Sequence, residues 1–447
     1  MKKSLVLMAM AGVALASCVN DVADVAQKEQ KKVKIAFESP LTMSNADSRA
    51  NYYGEIGDIQ YILGGSTYTY PRAEDFRIFA IKHSDNYVGG WNTGEQTIYD
   101  FNDTSISYDT DLDGWAPLKP VADPSGDKYY YWPSKDKLSF AAVSPANMEQ
   151  NNTFQYSYSA AGLQLSNFVV PQAKVTVTED EDGEKLVTNT YKQFDVLFSK
   201  RALDCTSDQM INAAGRYSGI PIHFQHALSS IRFSLDKENV NQSVYLKEIR
   251  LFGVKNKGTF NENITEDEQN PSKYVRADNV NPKWTPAEGA TLLVEDDSYC
   301  AFYGKVEFKS TPQYVKDLIQ EETSANPNQP NNSVCNQLLL MPQELEQYYS
   351  GKEKNENGEL IQEKEGAVLY VRYEIGGEDR ERYVALRGRT GNVGTTEGGS
   401  ITVNEWEVGT RYTYRLVISS ETIENDKIYF APQTDAWKDV TAIIVNL

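Results

Sequence analysis

Apolar and polar residues alternate in short runs along most of the chain, with the period of β-strands. In the segment VKIAFESPL, residues 33–41, the side chains of Val33, Ile35 and Phe37 share one face, and the opposite face is polar or small. Similar runs recur between Gly, Pro and Asn residues, which are typical of turns. They include DFRIFAIKH, KLSFAAVSP, GLQLSNFVVP and GAVLYVRYEIGG. The pattern predicts an all-β chain made of β-sandwiches.

The strand candidates form two groups. A polar stretch with several small residues, TSDQMINAAGRYSG at 206–219, separates them. We therefore predict two β-sandwich domains in tandem, over residues 33–210 and 211–447. Within the first, KVTVTEDEDGEKLVTNTY at 174–191 predicts a hairpin that turns at an Asp-Gly pair.

The chain begins with the features of an export signal. Lys2 and Lys3 precede ten apolar residues, which are too few to span a bilayer. The sequence L-A-S-C then ends at Cys18 and resembles the bacterial lipobox, in which the cysteine is acylated and the chain is cut before it. We predict a lipoprotein signal peptide over residues 1–17, lipidation of Cys18, and a flexible tether over residues 18–32. The alternative is a plain signal peptide that happens to contain a cysteine.

The net charge limits the classes of partner, and the cysteine content limits the number of disulfides. The formal net charge is −19 at pH 7 and basic residues do not cluster, so nucleic acids and anionic lipid surfaces are poor partners. After Cys18 only Cys205, Cys300 and Cys335 remain, without a C-x-x-C spacing. These three thiols allow one disulfide or none, and they exclude a disulfide framework.

The segment HFQHALSSIRFSL, residues 223–235, contains two of the three histidines. Along a regular strand His223 and His226 face opposite sides of the sheet, and the segment contains no Cys, Asp or Glu. We therefore expect no metal or catalytic pair, and we expect His226 to be half-buried and hydrogen-bonded. The apolar period changes parity within the segment, which predicts a bulge or bend at residues 227–230.

No motif predicts an enzyme, a metal site or a cofactor. YDTDLDGWAP, residues 108–117, resembles the first half of a calcium loop. However, Pro120 stands where that loop needs a bidentate Glu, so a turn is the better interpretation. The chain contains neither a G-x-S-x-G motif nor a phosphate-binding glycine loop.

Several segments resemble, in the same order, segments of Bacteroidetes fimbrillin-like proteins, the type V pilin superfamily. The resemblance includes the lipobox at Cys18 and an early S-R-A around Arg49. The longer segments are YYYWPSKDKLSFAAVSP, FDVLFSK, HFQHALSSIRFSL and WEVGTRYTYRLVIS. Each is loose alone, and their joint order over nearly the whole chain carries the resemblance.

The resemblance implies two transthyretin-like, Greek-key β-sandwiches in tandem and export as an outer-membrane lipoprotein. For polymerising members it also implies that an Arg- or Lys-specific protease removes the first strand, and that a strand of the next subunit fills the groove. In this chain the removable strand and its linker correspond to residues 33–49, and the cut falls between Arg49 and Ala50. The alternative is that the linker is only a surface loop.

The C-terminal sequence TAIIVNL places Ile443, Val445 and Leu447 on one face of a strand. The hypothesis is that this strand is the donor to the next subunit. The alternative is that it closes the second sandwich of its own chain.

We therefore predict a structural or accessory subunit of cell-surface fimbriae that serves adhesion. The predicted partners are other fimbrial subunits, identical or homologous, and the outer membrane through the lipid anchor. The predicted location is the outer-membrane surface, or the fimbrium after processing. The sequence specifies neither the surface ligand nor a stalk, tip or anchor role. The alternative function is a lipoprotein that does not polymerise and that binds glycans through exposed Trp and Tyr.

Overall fold

The computed structural model describes residues 33–37, 41–42, 60–63, 66–69, 76–85, 91, 97–109, 111–112, 114–146, 155–179, 185–191, 193–210, 219–220, 222–264, 282–288, 298–310, 313–315, 334–336, 338–348, 353–354, 360–362, 366–392, 400–419 and 430–436. Nearly all regular structure in these ranges is β, with one short 3-10 helix at Ser207–Met210. A helix long and apolar enough to cross a membrane does not occur in the part of the chain that the structure describes.

The strands of the first half of the chain are β1 Leu41–Thr42, β2 Gln60–Leu63, β3 Ser66–Thr69, β4 Phe76–His83, β5 Thr97–Ile98, β6 Thr104–Asp109, β7 Gly114–Ala116, β8 Lys137–Ser144, β9 Gln155–Ser159, β10 Gly162–Val169, β11 Ala173–Glu179, β12 Lys185–Tyr191, β13 Leu197–Ser199, β14 Ala202–Cys205 and β15 His223–His226. Those of the second half are β16 Ser229–Glu238, β17 Val244–Phe252, β18 Lys257–Asn261, β19 Lys283–Pro286, β20 Tyr299–Glu307, β21 Gln313–Tyr314, β22 Val334–Cys335, β23 Leu338–Leu340, β24 Glu353–Lys354, β25 Leu360–Gln362, β26 Val368–Ile375, β27 Glu378–Ala385, β28 Arg389–Asn392, β29 Ser400–Val403, β30 Thr410–Ser419 and β31 Phe430–Ala436.

Two sheets contain most strands of the first half. The larger has nine strands, in the order β1-β15-β13-β8-β4-β6-β7, with β14 paired to β8 and β5 paired to β4. The smaller has four antiparallel strands in the order β19-β18-β10-β9. The hairpin β11–β12 is separate, and it confirms the hairpin predicted at residues 174–191.

Two five-stranded sheets contain most strands of the second half. One has the order β21-β16-β30-β31 with β23 also on β16, and the other has the order β22-β20-β17-β26-β27. In the first sheet β16 and β30 run parallel over nine paired positions, from Ser230 opposite Arg411 to Glu238 opposite Ser419. The all-β class predicted from the alternation is confirmed, and the number of domains stays a prediction.

Strands from both sides of the predicted boundary at residues 210 and 211 share sheets. β15 pairs with β13 in the nine-stranded sheet, and β18 pairs with β10 in the four-stranded sheet. Strands that follow the predicted boundary therefore complete the sheets that precede it. The boundary itself stays a prediction.

A bend at Ala227 and Leu228 explains the parity change in HFQHALSSIRFSL. β15 ends before this bend in the nine-stranded sheet, and β16 begins after it in a five-stranded sheet. The Ala227 N–H donates to the carbonyl of Val196, and the Gly409 N–H donates to the carbonyl of Leu228. The predicted bend is confirmed, and the parity changes because the chain passes from one sheet to another.

Buried apolar side chains form one large cluster that extends over both halves of the chain. It contains Ile35 and Phe140 of the first half as well as Ile418 of the second. The indole N–H of Trp284 donates to the carbonyl oxygen of Ala227 at 2.6 Å, which links the four-stranded sheet to the bend. The sheets are thus packed around a shared core.

Candidate functional site: the first segment

Residues 33–37, the first segment, are bonded to other parts of the chain along both edges. The Phe37 N–H donates to the carbonyl of Trp115 at 2.7 Å, and the Ile220 N–H donates to the carbonyl of Ala36 at 2.9 Å. Because hydrogen bonds leave both edges, the first segment is an inner strand rather than an edge strand.

The beginning of the first segment is held by the chain just before β8. The Ile35 N–H donates to the carbonyl of Tyr130 at 2.9 Å, and the Trp132 N–H donates to the carbonyl of Val33 at 2.9 Å. Main-chain hydrogen bonds therefore fix this segment from its first residue to its last.

Residues 33–42 contact both ends of the nine-stranded sheet. β7 is one end, and its Trp115 forms a bridge with Phe37. β1 is the other end and pairs in parallel with β15, where Leu41 lies opposite His223. Phe37 also forms a parallel bridge with Ile220, just before β15, so the first segment lies between β7 and the chain that leads into β15.

The side chains of the first segment fill the core. Ile35 is fully buried and Phe37 is 1% exposed. The Phe37 ring lies edge-on to Phe76, with centroids 6.0 Å apart, and edge-on to Phe140, with centroids 5.3 Å apart. Edge-to-face pairs of this kind add stabilisation beyond the burial of area.

The expectation that the second face of this segment is exposed to solvent is wrong at one position. Ala36 is 1% exposed, although alternation places it on the solvent side. Lys34 is half-buried, and its Nζ lies 3.9 Å from the centroid of the Tyr129 ring. The burial of Ala36 and the contact of Lys34 with Tyr129 show that other parts of the chain also cover this second face of the segment.

A family model described as fimbrillin-like matches residues 89–431. The chain belongs to the fimbrillin-like family. The resemblance found in the sequence is therefore confirmed. Membership of this family indicates a fimbrial or adhesion-type subunit at the cell surface, with a structural rather than an enzymatic role.

Solved structures similar to this fimbrillin-like chain include two from species of Bacteroides. The structure of a candidate cell adhesion protein from Bacteroides uniformis is 8% identical, covers 92% of this chain and 100% of its own, and has a TM-score of 0.38. The structure of a fimbrial protein from Bacteroides vulgatus is 15% identical, covers 81% of this chain and 93% of its own, and has a TM-score of 0.36. None of the curated proteins compared matches the sequence.

Several residues predicted to act in the fimbrillin-like chain lie outside the described residues. They are Cys18, Arg49, Ala50, Ile443, Val445 and Leu447. Lipidation, cleavage and strand donation therefore stay predictions. Of the predicted site residues, Val33, Ile35 and Phe37 are described, and all three lie in the first segment.

The histidine segment of the fimbrillin-like chain contains a buried hydrogen bond. His226 Nδ1 lies 2.5 Å from Oδ2 of Asp195, so the expected hydrogen bond is confirmed. The expected half-burial is wrong, because the bend beside His226 is itself buried in the core. Burial raises the pKa of Asp195 and lowers the pKa of His226, and the Arg411 charge opposes the first shift and adds to the second. Among the described residues, no three His, Cys, Asp or Glu side chains are grouped closely enough to hold a metal ion.

The acidic segment at residues 108–117 contains the end of β6, the turn residues Asp111 and Leu112, and the whole of β7. The Asp109 carboxylate accepts hydrogen bonds from the Leu112 N–H and the Tyr129 hydroxyl, and it lies 2.6 Å from Nζ of Lys128. Burial alone would raise the pKa of Asp109, but the hydrogen bonds from Lys128 and Tyr129 lower it. The positive charge of Lys128 therefore neutralises the Asp109 carboxylate, which in a calcium loop would bind the ion.

The sequence predicts the apolar side chains of the first segment but not the residues that receive them. Trp115 and Ile220 supply main-chain partners, and Phe76 and Phe140 supply ring contacts. One local signal is the Tyr-Trp-Pro stretch at residues 131–133, which belongs to the family resemblance. Its contact with the first segment depends on pairing between distant parts of the chain.

Proposed function

We propose that this fimbrillin-like protein is exported as a lipoprotein and assembles into fimbriae by strand exchange after proteolysis. Acylated Cys18 holds the precursor in the outer membrane, and a cut between Arg49 and Ala50 frees the chain from that anchor. The partners are then other fimbrial subunits, identical or homologous.

The position of the first segment is the observation that supports strand exchange most directly. Once a cut at Arg49 allows residues 33–42 to leave, the main-chain groups of Trp115 and Ile220 lose their partners. The rings of Phe76 and Phe140 lose a covering side chain at the same place. An unpaired strand edge beside an apolar surface readily accepts a strand from another chain.

The C-terminal residues 440–447 have the pattern that such an incoming strand needs. Ile443, Val445 and Leu447 repeat at every second position, as the three apolar residues of the first segment do. The same spacing therefore directs three apolar side chains into the slot. In the alternative, residues 440–447 close a sheet of their own chain and are not free to donate.

Limited digestion of residues 19–447 with an Arg-specific protease tests this proposal. We expect one early cut that gives a new N-terminus at Ala50, followed by slow growth of SDS-resistant ladders. The cut frees the first segment, and exchange is slow because that segment must leave its hydrogen-bonded slot. N-terminal sequencing and gels over time measure both events.

Two variants separate the steps of that experiment. Arg49→Gln should block both the cut and the ladders, and deletion of residues 440–447 should preserve the cut but abolish the ladders. A first cut at another site, or complete cleavage at Arg49 that leaves only monomer, would overturn the proposal. Ladders that persist after deletion of residues 440–447 would overturn the choice of donor alone.

A further inference from the structure

A cleft of about 370 Å³ opens between the two sheets of the first half. β4 and the turn before β6 form one wall, and β9, the end strand of the four-stranded sheet, forms the other. The cleft shares no lining residue with the first segment. Its volume lies at the lower end of the range for small-ligand sites, which is about 300–1,000 Å³.

Aromatic rings form the interior of this cleft. Phe79 and Tyr158 stack with centroids 4.8 Å apart and planes 18° apart. Trp91 meets Tyr158 edge-on at 4.9 Å, and Tyr156 lies 6.1 Å from Phe79. Phe79 and Trp91 are buried, so the half-buried rings of Tyr156 and Tyr158 are the ones that a ligand can reach. One face of a pyranose ring consists of C–H groups, which can pack against these two rings.

Polar side chains stand at the opening of the cleft, at the turn before β6. The Asn102 amide oxygen accepts a hydrogen bond from the Ala80 N–H at 3.0 Å. This bond fixes the side chain, and its NH2 group remains as a hydrogen-bond donor. The Asp103 carboxylate accepts the Tyr156 hydroxyl at 2.8 Å and is 43% exposed. An amide donor and a carboxylate acceptor beside an aromatic surface match the hydroxyl groups at the edge of a sugar ring.

Two arginines hold the walls in place. The Arg201 guanidinium lies 4.9 Å from the centroid of the Trp91 ring and 5.2 Å from that of Tyr158. Arg77 donates to the Ala146 carbonyl at 3.1 Å and forms an ion pair with Asp103 at 3.2 Å. Side chains that are fixed before binding lose little conformational entropy when a ligand arrives.

Charge decides which class of sugar the cleft suits. Arg77 pairs with the Asp103 carboxylate at its opening, and the chain as a whole carries a net charge of −19. This net negative charge disfavours uronic acids, sialic acids and phosphorylated sugars. We propose that the cleft binds a neutral saccharide of one or two rings. This inference does not depend on polymerisation, because the first segment takes no part in the cleft.

Saturation-transfer difference NMR of the full chain, in a detergent without a sugar head group, tests the inference. The probes are the neutral disaccharides lactose, cellobiose, mannobiose and chitobiose, with sialyllactose and digalacturonate as acidic comparators. We expect transfer to at least one neutral probe, with a Kd of about 1 mM, and none to the acidic probes.

The chain offers a matched control for the binding site. Ile98 at the cleft and Val121 on another surface are exposed large apolar residues. Ile98→Asp adds a second carboxylate at the cleft, and Asp103→Asn removes an acceptor while keeping a residue that tolerates the left-handed backbone found there, φ 56°. Each should weaken binding about tenfold or more, whereas Val121→Asp should leave it unchanged.

Three results would overturn the saccharide site. They are a complete absence of transfer to the neutral probes, transfer to the acidic probes alone, and equal binding by the Ile98→Asp and Val121→Asp variants. Circular dichroism of each variant confirms that it is folded before its binding is compared.

Discussion

Asp195 and His226 form a hydrogen-bonded pair in the core. The positive charge of Arg411 acts to lower the pKa of both side chains. Burial disfavours the charged form of each side chain, so the pKa of Asp195 lies above its ordinary 3.8 and that of His226 below its ordinary 6.5. The folded pair therefore keeps a single proton over a wide range of pH. The unfolded chain also holds one proton between these two values, on His226.

The pair should stabilise the fold most between pH 3.8 and pH 6.5. Below this window the unfolded chain binds a second proton that the folded pair does not, so the free energy of unfolding falls as the pH falls. Above it the unfolded chain loses the proton that the folded pair keeps, so the free energy of unfolding falls as the pH rises.

Urea unfolding from about pH 3 to about pH 9 measures this contribution. The protein is compared with the double variant Asp195→Asn, His226→Gln, which keeps polar groups at both positions but removes their titration. The difference between the two free energies of unfolding should show a maximum within the window. A difference that does not change with pH would contradict the pKa shifts of the pair.

At the scale of strands, local alternation predicts where strands lie but not which strands pair. The hairpin β11–β12 is predictable because its turn and both arms lie within one short segment. The partners of the first segment, at Trp115 and Ile220, lie far along the chain and carry no local signal. The parity change beside Ala227 is visible in the sequence, but only the pairing shows that it moves the chain between sheets.

The contact between β17 and β26 depends on a glycine that follows β17. Gly253 has a φ of +71°, and a Cβ there would lie 1.7 Å from the carbonyl oxygen of Gly366. Gly388 has a φ of +76°, and a Cβ there would meet nothing within 4 Å. The two positions therefore share the left-handed backbone and differ in the space around it.

Alanine at these two glycines should separate backbone strain from close approach. Gly388→Ala should cost about 1–2 kcal/mol, since it adds only left-handed strain. Gly253→Ala must also push β17 away from β26, so we expect a further loss of about 3 kcal/mol. Chemical denaturation of both variants measures the two losses, and equal losses would contradict the close approach of Gly253 to Gly366.

At the scale of the whole molecule, the short first segment contacts parts of the chain that are far from it in sequence. It forms bridges with Trp115 of β7 and with Ile220, which precedes β15, and its apolar side chains pack in the core cluster that extends into the second half. The sequence predicts the segment's apolar residues and its family. It does not predict the partners of the segment, because those contacts join it to parts of the chain that are far away in sequence.

Phe37→Ala should lower the free energy of unfolding by about 3–5 kcal/mol, because it leaves a cavity between Phe76 and Phe140. Val121→Ala, at a fully exposed position, should change it by no more than about 0.5 kcal/mol. Urea denaturation followed by tryptophan fluorescence compares the two variants. A small loss at Phe37, similar to that at Val121, would mean that the first segment is not held in the core.

The bonding of the first segment along both edges also determines how the protein bears a mechanical load. A pull on the residues before Val33 acts along the strand, so the hydrogen bonds to Tyr130, Trp115 and Ile220 are sheared together rather than broken one after another. Rupture then requires a larger force than the peeling of an edge strand. A donated strand in the same slot would inherit this geometry, and each joint of a fibre would resist tension in the same way.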